Sequence, residues 1–419
     1  MNPESAAAPV GSANLGEAAL GTPDGDIQPG LSKATALLFA VACGLAVANV
    51  YFDQPLLDLM ARDFGISHAA IGIVITVTQI GYGVGLLFVV PLGDLIDRRR
   101  LIVGQSLLSV VALLGVSLAP TGTALLVGMT AVGVLSVVTQ VLVAHAASLA
   151  SPSQRGSIVG TVVSGIIIGI IAARTVSGTL SDLFGWRAVY LASAAATLLV
   201  TALLSRALPR QTAPSTQVPY LRLIGSVFSL FVEEPVLRIR AVLALLIFAA
   251  VTVLWTPMVL PLSAPPYSLS HTAVGLFGLA GAVGALGATR AGRLADQGFA
   301  QRTTGIALAI MLASWLPVAL LPVSLLWLIV GVVAIDFGLS SVNVTNQSMI
   351  FRVRPDAQSR LTAGYMIFYS IGCAAGSIVS TVVYAQAGWT GVCALGAAIS
   401  ATALVFWART RHLTPDVPH

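Results

Sequence analysis

Charge is what this chain has least of. Only 9% of its 419 residues are Asp, Glu, Lys or Arg, against about 25% in an ordinary soluble domain. That shortfall excludes a typical soluble enzyme. Lysine is almost missing: Lys33 stands alone, so a Gly-rich phosphate loop with its lysine cannot be built, and ATP-driven pumping by this chain alone is not expected. The histidines, His68, His145, His271, His412 and His419, show no paired metal spacing. The cysteines, Cys43, Cys373 and Cys393, sit inside apolar runs and read as packed thiols, not disulfides or metal ligands. With no nucleophile–base pair either, the chain is not expected to be an enzyme or to need a cofactor.

What fills the chain instead is apolar. Hydrophobic residues make up 57% of it, and its mean hydropathy is +0.93. A membrane-crossing helix needs ~20 apolar residues, so twelve would take roughly 240. Suitable runs follow one another over 34–54, 69–91, 101–120, 122–148, 157–179, 187–207, 238–261, 272–291, 302–322, 324–350, 360–385 and 389–408. In lipid, continuous apolar stretches of this length are helices. The fold class is therefore an all-α membrane protein with twelve transmembrane helices, numbered 1 to 12 in chain order. Residues 1–30, rich in Ala, Gly, Pro and Asp, read as a disordered tail, and 413–419 as a short second tail. Residues 208–237 form the one long connection. In it Leu221, Ile224, Phe228 and Phe231 recur at helical spacing, which fits either a helix on the membrane surface or a structured loop packed on the bundle.

Basic residues orient the chain. If both termini are cytoplasmic, all of the 21 Lys and Arg except Arg62, Arg174 and Arg187 fall on the cytoplasmic side, as the positive-inside rule requires. The net charge of +5 is then an orientation signal, not a nucleic-acid footprint. The expected setting is the inner (plasma) membrane. The expected partners are lipid and a small-molecule substrate, with the chain working as a monomer.

The two halves echo each other at an offset of about 200 residues. Gly93-Asp94-Leu95-Ile96-Asp97 matches Gly292-Arg293-Leu294-Ala295-Asp296, Pro55 matches Pro257, Gly185-Trp186 matches Gly388-Trp389, Arg155 matches Arg360, and Gln140 matches Gln347. Five matches in order at a nearly constant offset point to two pseudo-symmetric six-helix bundles, 31–207 and 238–412. Parallel six-helix repeats mark a transporter whose site lies between the halves.

These motifs carry a resemblance. "GDLIDRRR" at 93–100, after helix 2, resembles the helix 2–3 loop signature of the major facilitator superfamily, and "GRLADQG" at 292–298 resembles its second copy. The chain is most similar to the drug:proton antiporter branch. "NVYFDQPLL" at 49–57 and "ARTVSG" at 173–178 resemble a bacterial subset of presumed efflux permeases. The resemblance implies alternating access driven by a proton gradient, with helices 1, 4, 7 and 10 lining a central cavity. It assigns Gly93, Asp94, Asp97, Arg98, Gly292 and Asp296 to a conformational motif, with Asp97 near the start of helix 11, where the helix dipole favours negative charge. Met129 stands where many proton antiporters carry an arginine in helix 4, so coupling must use another group.

An ionisable residue at mid-membrane costs ~2.5–3.5 kcal/mol on insertion scales and is usually functional. Asp336 lies deep within helix 10, and with Ser340, Asn343 and Gln347 it forms one polar stripe on one helix face. Asp336 is the expected proton-coupling residue. Asn49, Asp53 and Gln54 close helix 1, and Arg174 in helix 5 lies at similar depth, so an Asp53–Arg174 pair is expected. Gln79 and Tyr82 in helix 2, Gln140 in helix 4, Trp255 in helix 7, and Tyr365 and Tyr369 in helix 11 complete the candidate cavity, whose aromatics suit an apolar or cationic organic molecule. Small residues four apart (Gly81 and Gly85; Gly165, Gly169 and Ala173; Gly372, Gly376 and Ser380; Gly156, Gly160 and Ser164) are expected to let helices approach closely. Proton-coupled export of small organic molecules is the leading expectation. Uptake of a metabolite and a transport-inactive sensor are the alternatives.

Overall fold

Lipid offers the backbone no hydrogen-bond partner, so each apolar run satisfies its own N–H and C=O groups as a helix. The computed structural model describes residues 32–151, 154–208, 219–285, 287–354 and 358–414. The expected disordered tail 1–30, most of 413–419 and the proline-rich start of the connection lie outside the described residues. Helices 1 to 7 run over Lys33–Phe64, Ile73–Gly93, Arg98–Ser117, Gly122–Leu149, Gly156–Phe184, Trp186–Ala207 and Pro235–Ser263. Helix 8 consists of His271–Ala285 and Gly287–Asp296. Helices 9 and 10 are Ala300–Ala319 and Leu325–Val353. Helices 11 and 12 follow without a gap over Gln358–Thr410 and part at Gly388, which has φ 60°. The fold is the expected all-α membrane fold.

The repeat read from sequence reappears as repeated packing. Helix 1 packs along helix 5, helix 2 along helix 4, and helix 3 along helix 6; helices 7 and 11, 8 and 10, and 9 and 12 pair in the same way. The matched Gly-Trp pairs do the same job in each half. Gly185 (φ 83°) and Gly388 (φ 60°) occupy the left-handed region that only glycine enters cheaply, and each turns one crossing helix straight into the next. Each following indole N–H then anchors the turn. Trp186 donates to Asp63 at 2.8 Å, and Trp389 donates to the Val318 carbonyl at 2.9 Å.

Glycines set the closest helix contacts. A Cβ built on Gly44 would lie 2.6 Å from the Gly165 carbonyl oxygen, and one on Gly376 would lie 2.6 Å from that of Ala249. Helices 1 and 5, and helices 7 and 11, therefore touch backbone to backbone, as the small-residue spacing led one to expect. Gly156 and Gly160 are different: a Cβ on either would meet nothing within 4 Å. Gly376→Ala is therefore expected to lower the thermal unfolding midpoint in detergent, at a cost of about 1–3 kcal/mol for overpacking. Gly160→Ala should leave the midpoint unchanged or slightly raised.

The connection contains a helix, Tyr220–Glu233, and combines features of both sequence readings. Val227 and Leu230 are buried, Phe231 stacks on Phe368 with ring centroids 5.2 Å apart, and the Tyr220 hydroxyl donates to the Phe88 carbonyl at 2.6 Å. Leu221, Phe228 and Val232 point outward. The helix thus lies against helix 11 with its second apolar face uncovered by protein.

The halves meet along two seams, helix 5 with helix 8 and helix 2 with helix 11. The face bearing Arg98–Arg100 is termed the basic face, and the face bearing Gly185 the opposite face. Hydrogen bonds between the halves gather toward the opposite face. Thr175 donates to the Gly275 carbonyl at 3.2 Å, Ser377 to that of Gly72 at 2.8 Å, Thr381 to that of Ala69 at 3.0 Å, and Thr76 to that of Ala374 at 3.0 Å. These bonds seal the seams between the halves at the opposite face.

Candidate substrate site between the halves

Arg174 sits on helix 5 in the first half, at 8% exposure. Its Nε–H donates to the Gln54 side-chain oxygen at 2.7 Å. Its guanidinium carbon lies 3.7 Å from the ring centroid of Trp255 on helix 7 and 5.5 Å from that of Tyr51 on helix 1. Stacking of this kind compensates a desolvated guanidinium. The same indole turns its N–H toward Asp336 on helix 10, at 3.5 Å from Oδ1. Asp336 is 8% exposed. Glycines on helix 8 admit both ionised groups: a Cβ on Gly278 would lie 3.3 Å from the Arg174 side chain, and one on Gly281 would collide with Asp336 Oδ2. One aromatic ring thus separates a buried cation of the first half from a buried carboxylate of the second.

Below this cluster lies a group of aromatic residues drawn from both halves. The Tyr51 and Tyr369 hydroxyls share a hydrogen bond of 2.6 Å. Tyr369 meets Tyr82 edge-on at 6.2 Å and Phe248 edge-on at 4.4 Å between centroids, and Gln140 donates to the Tyr82 hydroxyl at 3.3 Å. Further along helix 10, Asn343 accepts from the Tyr365 hydroxyl at 2.8 Å and from Gln347 at 3.3 Å. Asn346 donates to that same hydroxyl at 3.3 Å and accepts from Arg240 at 3.3 Å. Ser340 is half-buried on the stripe. The structure therefore gathers Gln54, Arg174, Trp255 and Asp336 in one place, Tyr82, Gln140 and Tyr369 in a second, and Asn343, Gln347 and Tyr365 in a third.

Other expected positions are corrected. Asn49 is turned into the first half, where its Oδ1 accepts from Ser193 of helix 6 at 2.5 Å. Asp53 does not pair with Arg174. It is fully buried, and neither carboxylate oxygen has a hydrogen-bond partner. The reason is a change of helical phase. The α-helix of helix 1 stops at Tyr51, and Pro55 forces a 3-10 turn over Gln54–Leu56, so Gln54 rather than Asp53 faces helix 5. Gln79 is buried with its Oε1 unpartnered. In the loop motif, Asp97 caps helix 3 by accepting from the Arg100 N–H at 2.9 Å, and Arg98 donates to the Gly93 carbonyl at 3.1 Å. Contrary to expectation, among the described residues no hydrogen bond or ion pair joins Asp97 to helix 11, and the bonds between the halves lie toward the other end. The side chains of Asp94 and Asp296 lie outside the described residues. Gly292 has only Val344 within 4 Å of a built Cβ.

One cluster escaped the sequence altogether. At the opposite face His271, which starts helix 8, lies between two carboxylates of the first half: Nε2 is 3.0 Å from Asp58 Oδ1 and Nδ1 is 2.9 Å from Asp182 Oδ1. Asp182 also accepts from the backbone N–H groups of His271 at 3.1 Å and Thr272 at 2.8 Å, and from the Thr272 hydroxyl at 2.7 Å. Arg62 stands 3.7 Å from Asp58. The nearest signal in the sequence is the set of polar residues flanking helices 1, 5 and 8, which any solvent-facing helix end would also carry.

Two repeated bundles of helices, with buried charges of both halves meeting under one sealed face, define a membrane transporter built on an internal repeat. The chain belongs to the Major Facilitator Superfamily, whose sequence model matches residues 37–359 and again 291–419. It is 46% identical to YgaY, an uncharacterized transporter of Escherichia coli K12, over 91% of this chain and 97% of that one. It is 28% identical to the purine ribonucleoside efflux pump NepI of Escherichia coli O127:H6, over 44% of this chain and 47% of the pump. In fold it is similar to an inward-facing, occupied bacterial homologue of the human lysosomal transporter Spinster. The TM-score is 0.75 at 14% identity, covering 92% of this chain and 98% of that chain.

Proposed function

We propose that this transporter exports small organic molecules across the inner membrane in exchange for protons, by alternating access, with its basic face in the cytoplasm. The observation that carries the reading is the Arg174–Trp255–Asp336 cluster, in which a carboxylate of one half and a guanidinium of the other are both withdrawn from water at the same aromatic ring. Ionisable groups at this depth are costly and mark ion and substrate routes. Asp336 is the proton carrier in this scheme. Substrate and proton compete for it, so a proton arriving from outside releases cargo, and cargo arriving from inside releases the proton. Export is further supported by the partial similarity to NepI, a purine ribonucleoside efflux pump. The sealed opposite face corresponds to the state that collects cargo from the cytoplasm.

The test is direct. Purified protein is reconstituted into liposomes carrying an internal pH dye, and compounds that stabilise the protein against heat are added under an imposed pH gradient. Export by exchange predicts that such a compound moves protons in the direction opposite to itself. Movement in the same direction would assign uptake by symport. Absence of flux with every stabilising compound would leave the chain a sensor.

A further inference from the structure

Arg174 and Asp336 form no direct ion pair with each other. No carboxylate of the described residues lies within 4.0 Å of the Arg174 guanidinium, whose only hydrogen bond goes from Nε to Gln54. Its two terminal nitrogens make no hydrogen bond, yet they are absent from the buried polar atoms that protein seals off. Asp336 is in a similar position. Its Oδ1 meets the Trp255 N–H at 3.5 Å, while its Oδ2 has no partner and is not sealed off by protein. Trp255 keeps the two charges apart, with one on its face and the other at its N–H edge. Each charge is more than nine-tenths buried and still presents free hydrogen-bonding capacity to the space between the halves.

The free edge of a guanidinium fits a planar carboxylate through two parallel hydrogen bonds, and a carboxylate with an open oxygen takes an ammonium. We infer that the substrate of this site is an organic zwitterion. Its carboxylate docks on Arg174, its cationic nitrogen on Asp336, and its apolar body lies against Trp255 and Tyr51. The inference rests on the transport reading above and names the class of cargo. A singly charged molecule would satisfy only one of the two buried groups, whereas a zwitterion satisfies both. Its ammonium also contends with the proton for the same carboxylate, as exchange requires. Because Arg174 belongs to the first half and Asp336 to the second, such a molecule ties the halves together when it binds.

A matched ligand set tests this on the purified full-length protein in detergent. Tryptophan, tryptamine and indole-3-propionate carry one ring with both charges, the cation alone and the anion alone. Leucine, isoamylamine and 4-methylpentanoate repeat the set on an aliphatic body. Thermal stabilisation is followed against concentration. On at least one body the zwitterion is expected to half-saturate at a concentration about tenfold below either partner, a difference of ~1.4 kcal/mol. Arg174→Gln should reduce its affinity to that of the amine, and Asp336→Asn to that of the acid. Arg174→Lys and Asp336→Glu, which keep the charges, should retain part of the preference and show that loss in the neutral variants is not misfolding. A zwitterion no tighter than its amine or acid on either body, failure of both zwitterions to bind, or an unchanged zwitterion affinity in Arg174→Gln would overturn the inference. Flux separates this from the transport reading. Zwitterion binding without proton-linked flux defeats the export proposal alone, and proton-linked flux of singly charged compounds that ignores zwitterions defeats this inference alone.

Discussion

Asp336→Asn is expected to abolish substrate-driven proton movement in liposomes, lowering it at least tenfold, while exchange of substrate across the membrane without a pH gradient persists. The amide keeps the shape of the side chain and can still meet the Trp255 N–H, so the helix 8–helix 10 contact at Gly281 and Gly284 survives. What it loses is the ability to bind and release a proton. A proton moved through the site is worth ~2.3 kcal/mol per 100 mV of membrane potential, and without the carboxylate that energy has no route to the substrate. Asp336→Glu should retain coupling in part, since the acid remains but reaches further into a tight glycine-lined wall. Asp53→Asn provides the contrast. Asp53 is more deeply buried than Asp336, with both oxygens sealed off by protein, and its replacement should spare coupling. If Asp53→Asn silences proton movement and Asp336→Asn does not, the carrier is Asp53, and the scheme built on helix 10 fails.

The two carboxylates also show where sequence reasoning reaches and where it stops. Asp336 could be placed because a lone charge in the middle of a long apolar run has a definite depth whatever its neighbours do. Gly185 and Gly388 could be matched because a repeated Gly-Trp pair demands the same backbone turn twice. Face assignments fail where the helix changes type. The one-residue shift at Pro55 moved Arg174's partner from Asp53 to Gln54, and no periodicity argument carries across a 3-10 turn. Asn49 failed for another reason: around it no residue of helix 1 is exposed, so polarity marks contact without saying with which neighbour. Trp255 was expected as cavity lining, but its role as a spacer between opposite charges depends on the relative placement of helices 5, 7 and 10, which exists only in three dimensions. The His271 cluster depends on the same kind of long-range juxtaposition, because its members are more than 80 residues apart in sequence, with |i−j| of 89 and 213.

That cluster carries the second large effect. Asp182→Ala is expected to shift the protein away from the state sealed at its opposite face, raising the population opened there about tenfold, equivalent to ~1.4 kcal/mol. Among the described residues Asp182 is the one side chain that caps helix 8 across the seam, through two backbone N–H groups, the Thr272 hydroxyl and the His271 ring. Hydrogen bonds to a charged group contribute about 1.5–3 kcal/mol each when well shielded. Asp182 is 25% exposed and His271 15%, so the sum is discounted for solvent. Spin labels at His68 of the first half and Gln386 of the second, both exposed near the opposite face, report the separation by pulsed electron resonance, with the buried native cysteines protected from labelling. A longer-distance population should grow in Asp182→Ala. An unchanged distribution would show that the other contacts across the seams, Asp58–His271 among them, keep this face shut without Asp182. Asp63→Ala is the matched control, because Asp63 lies near the same face and pairs with Arg187 and Trp186 wholly within the first half. Its loss removes a comparable ionic contact without touching the seam, so the distance between the halves should not change. Only a bond that crosses from one bundle to the other can hold them closed, and its strength has an upper limit, since a latch that outlasted the release of cargo would stop the cycle.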